Sequence, residues 1–361
     1  MLVTALAVLA LAFSLDLAVG EPPNRVHPVA WFGRLVGALD RDWGGGQRRQ
    51  RQIGVAIAVV LPLWLAAVAG AAVFAATLVA PVLGALTAAL VLYCSTSLRL
   101  LLGLSGSVIA ATETDLERAR ERLRGLAGRD AAELSPAHVR SAAVESAAEN
   151  LSDGFVAASI PFAVLAPVSL PAAAGVAAWV KGVNTLDSML GYRSKPIGTA
   201  SARLDDLVMW VPARLTAVCL AIAAADPGAL SRARRWARVP SSPNSGWPMA
   251  TLACARSIRL EKPGAYVLDD RPGTSLPTVR DGERALATVR IGAVVAVAIA
   301  VTLAIVITAT LATVSAAIVG DAVSVVGFSS AEPVTLERLA SSSFDLAETR
   351  SNYLPPEKGW I

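Results

Sequence analysis

The stretch SAAVESAAENLSDGF, residues 141–155, places Glu145, Glu149 and Asp153 at four-residue intervals with no Lys or Arg among them. On an ordered helix these acids share one face with roughly 40° of drift per step, and each like-charged pair costs about 0.2–0.5 kcal/mol. That repulsion is either offset or put to use. Two later stretches carry matching chemistry. VKGVNTLDSMLGYRS supplies Lys181, Asn184, Asp187, Ser188, Tyr192 and Arg193, and ASARLDDLVMWVPAR supplies Arg203, Asp205, Asp206 and Arg214. Lys181, Asn184 and Ser188 fall on one helical face. SSPNSGWP adds Asn244, Ser245 and Trp247 in a turn-rich loop, and GEPPNRVHP adds Glu21, Asn24, Arg25 and His27.

Carboxylates interleaved with Lys, Arg, Asn and Ser suit one chemistry well. Carboxylates hold magnesium, which keeps waters and bridges to substrate phosphates. Arg forks and a Lys point charge neutralise phosphate oxygens. A second account stands beside it for each motif. The acidic trio also fits a solvated helix face ended by Asp-Gly, and Asp205 and Asp206 also fit capping or pairing with Arg203. Arg214 fits a functional site or a snorkelling side chain equally. His138, in LSPAHVR, reads as a surface residue beside a helix start. His27, fixed between Arg25 and Pro28, is the better candidate of the two histidines.

The elements that must position these groups are membrane segments. Of 361 residues 54% are hydrophobic, and the mean hydropathy is +0.55, the composition of an integral membrane protein. Apolar runs cover residues 1–20, 53–102, 155–180, 207–225 and 291–319, the second long enough for two spans. The first lacks a basic n-region and an A-x-A site and reads as a retained helix. Arg25, Arg34, Arg41, Arg48, Arg49 and Arg51 assign loop 21–52 to the cytoplasm, and the uncharged turn at Thr77 to Pro81 faces outside. Arg118, Arg120, Arg122 and Arg124 return loop 103–154 to the cytoplasm. A single crossing by 155–180 would then put Lys181, Arg193, Lys195 and Arg203 outside. Pro161, Pro167 and Pro171 point instead to a re-entrant or broken hairpin, and Pro212 and Arg214 interrupt 207–225 similarly. The expected fold is an all-α polytopic membrane protein with about four full spans and two re-entrant or broken segments, its cytoplasmic loops forming the site. Residues 1–319 make the membrane-embedded catalytic domain, and the Ser- and Pro-containing tail 320–361 is expected to be peripheral.

Other classes find little support. The net charge of +4 comes with no basic stripe interleaved with aromatics, so nucleic-acid binding is not expected. Three scattered cysteines and two distant histidines make no disulfide framework or zinc spacing. The nucleotide-loop, nucleophile-elbow and H-E-x-x-H motifs do not occur, nor does an internal repeat.

Five blocks in order, GEPPNRVHPVAWFGRLV, SAAVESAAENLSDGF, VKGVNTLDSMLGYRS, ASARLDDLVMWVPARLTA and SPNSGWP, closely resemble the cobalamin-biosynthesis CobD/CbiB family. The resemblance spans roughly residues 10 to 310 and implies an adenosylcobinamide-phosphate synthase of the bacterial inner membrane, its active site facing the cytoplasm. Such an enzyme joins a propionate carboxylate of adenosylcobyric acid to the amine of aminopropanol or its O-phosphate, with ATP and Mg²⁺ activating the carboxylate as an acyl phosphate. On that resemblance Glu145, Glu149, Asp153, Asp187, Asp205 and Asp206 divide between Mg²⁺ ligation and an amine-orienting base. Lys181, Arg193, Arg203 and Arg214 hold phosphates. Asn24, Arg25 and His27 meet the corrinoid amides or aminopropanol phosphate, and Trp247 packs on the corrin. Asn150, Asn184, Ser188, Tyr192 and Asn244 complete the substrate-binding set. Expected partners are the two small-molecule substrates, the lipid bilayer, and either a second copy or later cobalamin-assembly enzymes. The rival readings are a non-catalytic AmpE-like membrane sensor and a corrinoid or anion transporter. A transporter would show inverted repeats, which are absent from this sequence.

Overall fold

Apolar runs in a medium without water must satisfy their backbone internally, so they fold as helices. A computed structural model of the chain describes residues 1–41, 43–126, 131–192 and 195–325, with side chains described through 318. Its elements are α1 (Leu2–Val19), α2 (Pro28–Leu39), α3 (Gly46–Val79), α4 (Pro81–Ser95), α5 (Leu98–Thr114), α6 (Leu116–Leu123) and α7 (Pro136–Leu151). They continue with α8 (Ala157–Leu165), α9 (Leu170–Leu190), α10 (Thr199–Val208), α11 (Trp210–Ala223), α12 (Gly228–Ala233), α13 (Gly246–Arg256), a hairpin of β1 (Leu260–Lys262) and β2 (Tyr266–Leu268), and α14 (Val279–Val325). Residues 1–308 form one unit; in the second, from 309, the helix continues and the side chains at 309–318 are exposed.

Four helical stretches are long and apolar enough to cross a membrane: α1, α3, α4 with α5, and α14 through Ile318. Their outward faces are apolar, including Val59, Leu63, Phe74, Leu90, Val294 and Ile305. In water such a surface would be an aggregation liability; against lipid it is the ordinary solvent-facing side. The turn expected near Thr77 to Pro81 falls at Ala80.

Both interrupted segments are broken helices. In the first, α8 and α9 pack against each other across a turn at 166–169. Ser169 Oγ accepts from the N–H of Ala172 at 3.3 Å, and Pro171 occupies the first turn of α9, where a missing N–H costs nothing. In the second, a 3₁₀ turn at Pro196–Gly198 leads into α10, and α10 and α11 are bent by 46° at Met209.

Two boundaries differ from expectation. The helix expected to end near 102 continues as α5 to Thr114, because Val108, Ile109 and Ala111 keep an apolar face on the core. The last helix starts at Val279 rather than 291, because Ala285, Leu286 and Val289 are buried and extend its packed face below the apolar run.

Buried charge and close backbone approach fix the arrangement. Asp16, at 1% exposure, turns inward, and its Oδ2 accepts from the backbone N–H of Arg99 at 3.1 Å. It thereby caps α5, whose own N-cap Ser97 makes no side-chain bond. Arg99 donates back to the carbonyl oxygens of Leu17 and Ala18, closing α1 onto α5. Gly54 of α3 meets the 196–198 turn so closely that a Cβ there would lie 2.0 Å from the Ile197 carbonyl oxygen. Small residues also bury α7, with Ala142, Ala143, Ala147 and Ala148 at 0% exposure, letting neighbouring backbones approach.

Candidate functional site

Helix α7 begins where Ser135 Oγ accepts from the N–H of His138 at 3.3 Å and Pro136 takes the first position. His138 also faces Glu261, with Nε2 3.7 Å from Oε1, and is partly exposed. The helix then carries the acidic row, whose members meet three different surroundings. Glu145 is fully buried and accepts from Ser141 Oγ at 2.9 Å and from the Tyr266 hydroxyl at 2.8 Å. Glu149 and Asp153 line a polar cavity of about 300 Å³. The Asp-Gly pair does not end the helix. Residues 152–156 form one π turn, with the N–H of Ala157 on the Ser152 carbonyl, and the chain runs on into α8. Such turns arise frequently at functional sites. Here the Gly154 carbonyl accepts from the N–H of Ser97 at 3.1 Å, tying the π turn to the start of α5.

The cavity collects the sequence blocks. Asn150 joins Glu149 and Asp153 from the α7 side; Asn184, Asp187 and Ser188 come from the last two turns of α9. Ser241, Ser242 and Ser245 come from the loop before α13, and Lys262 and Tyr266 from the β-hairpin. Asp205 on α10 is 8% exposed, its Oδ1 lacks a hydrogen-bond partner, and it lies beside Asn184. Asp206 lies beside Ser242.

Among the described residues that line the cavity, Glu149, Asp153 and Asp187 face a single Lys. Burial, followed by the charge of Glu149, pushes the Asp153 carboxyl up to about 8. Burial, followed by Asp206, pushes Asp187 up to about 6. Among the described residues no three His, Cys, Asp or Glu side chains converge closely enough to hold a metal ion by themselves. A Mg²⁺ bound through one or two carboxylates, waters and substrate phosphates needs fewer. The crowded carboxylates and the orphaned, buried Asp205 oxygen suit such an ion.

Of the cations expected to hold phosphate, Lys181, Arg203 and Arg214 are not among the described residues lining this cavity. Lys181 sits beside Asp153 and Glu21 and lines a separate apolar cavity of about 230 Å³ with Cys94 and Val91. Arg203 is exposed and, among the described residues, pairs with neither Asp205 nor Asp206. Arg214 is committed to a clamp: Nη1 donates to Asn244 Oδ1 at 2.6 Å and to the Trp210 carbonyl at 2.9 Å, with its guanidinium over the rings of Trp210 and Trp247. Asn244 completes the clamp by donating to the Asp206 carbonyl at 2.7 Å. Arg193 lies outside the described residues. Tyr192 is half exposed, beneath the ammonium of Lys195.

The N-terminal loop serves α2. His27 Nδ1 accepts from the N–H of Val29 at 3.1 Å as its N-cap, and burial with the nearby Lys181 charge lowers its pKa. The Asn24 and Arg25 side chains are exposed, while their carbonyls accept from Arg34 and Trp31.

Sequence reasoning missed Lys262 and Tyr266. Their signal was present in EKPGAY. Pro263 and Gly264, with Gly264 at φ 73° and the N–H of Ala265 on the Lys262 carbonyl at 2.9 Å, make a type II turn. The turn pairs Lys262 with Tyr266 across the two strands. The N–H of Glu261 donates to Ser141 Oγ at 2.7 Å, docking the hairpin on α7.

Compared with known proteins, the chain matches the family model described as CobD/Cbib protein over residues 9–298. Among its relatives are proteins named cobalamin biosynthesis protein CobD. The one from Rhodobacter capsulatus is 38% identical over 274 residues, 72% of this chain and 83% of the relative. That from Geobacter metallireducens is 37% identical over 299 residues, 80% of this chain and 91% of the relative. That from Klebsiella pneumoniae is 36% identical over 269 residues, 71% of this chain and 82% of the relative. No solved structure matches the chain.

Proposed function

The chain belongs to the CobD/Cbib family, and from that premise we propose that it is the amide-forming ligase of cobalamin biosynthesis. It condenses adenosylcobyric acid with aminopropanol or its O-phosphate at the cytoplasmic face of a bacterial inner membrane. The observation that carries the reading is the acid-rich polar cavity built where α7, α9 and the β-hairpin meet.

A carboxylate and an amine do not condense unaided in water. In the proposed reaction a propionate oxygen attacks the γ-phosphorus of ATP and ADP leaves. The amine nitrogen then attacks the acyl carbon, phosphate leaves, and the nitrogen gives up a proton. Asp153 and Asp187, backed by Asp205, would hold Mg²⁺, which when bound neutralises charge on the phosphoryl oxygens. Glu149, which lines the same cavity and is left out of that ligand set, would accept the amine's proton. Asn184, Ser188 and the serines of the 241–245 loop orient phosphate oxygens by hydrogen bonding. At about 300 Å³ the cavity is at the small end for ligand sites. It suits the polyphosphate and the small amine, leaving the macrocycle outside.

The test is purified protein with adenosylcobyric acid, each amine in turn, and Mg-ATP, following ADP release and corrinoid mass. One ADP per amide is expected, and Glu149→Gln and Asp187→Asn should each lose activity by about 100-fold or more while inserting normally. Wild-type turnover in both variants, or corrinoid uptake into proteoliposomes without ATP-dependent amide formation, would remove the proposal.

A further inference from the structure

The cavity's own charge raises a problem for a polyphosphate substrate. Glu149, Asp153 and Asp187 all line it, and the arginines that sequence reasoning assigned to phosphate are exposed, clamped between tryptophans, or outside the described residues. Lys262 is the one Lys or Arg among the described lining residues. It is half-buried and makes no ion pair among the described residues.

We propose that the Lys262 ammonium is the phosphate-binding cation of this cavity, contributed by the β-hairpin. The inference rests on the ligase reading above. The hairpin is built to present it. The type II turn fixes the strand ends, Leu260 and Leu268 are buried at the base, and the Tyr266 hydroxyl and the Glu261 N–H tie the two strands to α7 through Glu145 and Ser141. The stem of Lys262 is therefore held while its head group stays uncommitted, the arrangement expected of a point charge that meets a mobile polyphosphate.

The experiment measures equilibrium binding of a non-hydrolysable Mg-ATP analogue to detergent-solubilised protein without corrinoid, alongside steady-state ligation. Lys262→Gln should weaken analogue binding about tenfold or more, the scale of one charge-assisted hydrogen bond, and should raise KM for ATP more than it lowers kcat. Lys262→Arg should restore binding to within a few-fold of wild type, which a purely structural role on the hairpin would not require. Unchanged binding and KM for ATP in Lys262→Gln, with the wild type active, would overturn the assignment and leave the ligase reading intact. A wild type that neither binds the analogue nor forms the amide would overturn both.

Discussion

Removing one hydroxyl from the hairpin tests how the site is assembled. Tyr266→Phe deletes the donor to Glu145 Oε2, a 2.8 Å bond to a carboxylate with 0% exposure. Hydrogen bonds to charged groups contribute about 1.5–3 kcal/mol, and every 1.4 kcal/mol is about tenfold in an equilibrium. Local opening of the hairpin should therefore become about 10- to 100-fold more favourable. Amide hydrogen exchange over residues 260–268, followed by mass spectrometry in detergent, reads this directly. The Glu261 amide, bonded to Ser141 Oγ, is the sharpest reporter. Ser141→Ala should accelerate exchange further, because it removes both the acceptor for Glu261 and a donor to Glu145. Glu145→Gln combined with Tyr266→Phe should cost less than the sum of the two single changes, since both act on one bond. Exchange in Tyr266→Phe within twofold of wild type would refute the tie between the hairpin and α7, and with it the reason given for burying Glu145.

Two further changes probe the site and its scaffold. The Asp153 carboxyl is raised in the fold to about 8 from 3.8, so between those values the folded protein holds a proton that the unfolded chain releases. Stability should accordingly fall as pH rises, by up to about 1.4 kcal/mol per pH unit; Asp153→Asn should flatten the curve and raise the melting temperature at pH 8 in Mg²⁺-free detergent. Gly54→Ala places a Cβ 2.0 Å from the Ile197 carbonyl oxygen, and the overpacking should destabilise the protein by about 1–3 kcal/mol or more, seen as a lower midpoint in detergent melts.

The spans were legible because their signal is additive. A run such as 53–79 states its environment residue by residue, and positive charge at its ends states its direction. The breaks were legible too, as Pro161, Pro167 and Pro171 in one segment and Pro212 with Arg214 in the other. Membership of one cavity was less so. Glu145 and Glu149 are equivalent in spacing, yet Glu145 is buried against Tyr266 and Glu149 faces the cavity. Only the hairpin 121 residues downstream of Glu145 separates their roles. The π turn at 152–156 carries no spacing signature, and the Asp-Gly that suggests a stop is compatible with continuation once Gly154 bonds Ser97. Arg214 reads as a phosphate ligand by type, but its partners Trp210, Asn244 and Trp247 become visible only when α11 and the 241–247 loop meet.

The position of the cavity follows from the same physics that makes the spans. Every described lining residue comes from a helix end or a break: the turn after α6, the last turns of α7, the π turn, the last turns of α9, the loop into α13 with that helix's first turn, and the hairpin. None comes from α1, α3, α4, α5 or α14. An unbroken helix in lipid uses its polar backbone internally and accepts charged side chains only at high cost, so it has nothing to offer a phosphate or a metal ion. A break frees N–H and C=O groups and brings charged side chains to a place that water can reach. The proposed reaction needs such a place beside a bilayer, so the intact helices act as scaffold and the discontinuities carry the chemistry. Substitutions within α3 or α14 should therefore appear as loss of folded protein, whereas those at 149–153, 184–188 and 262 should appear as loss of turnover in protein that is fully folded.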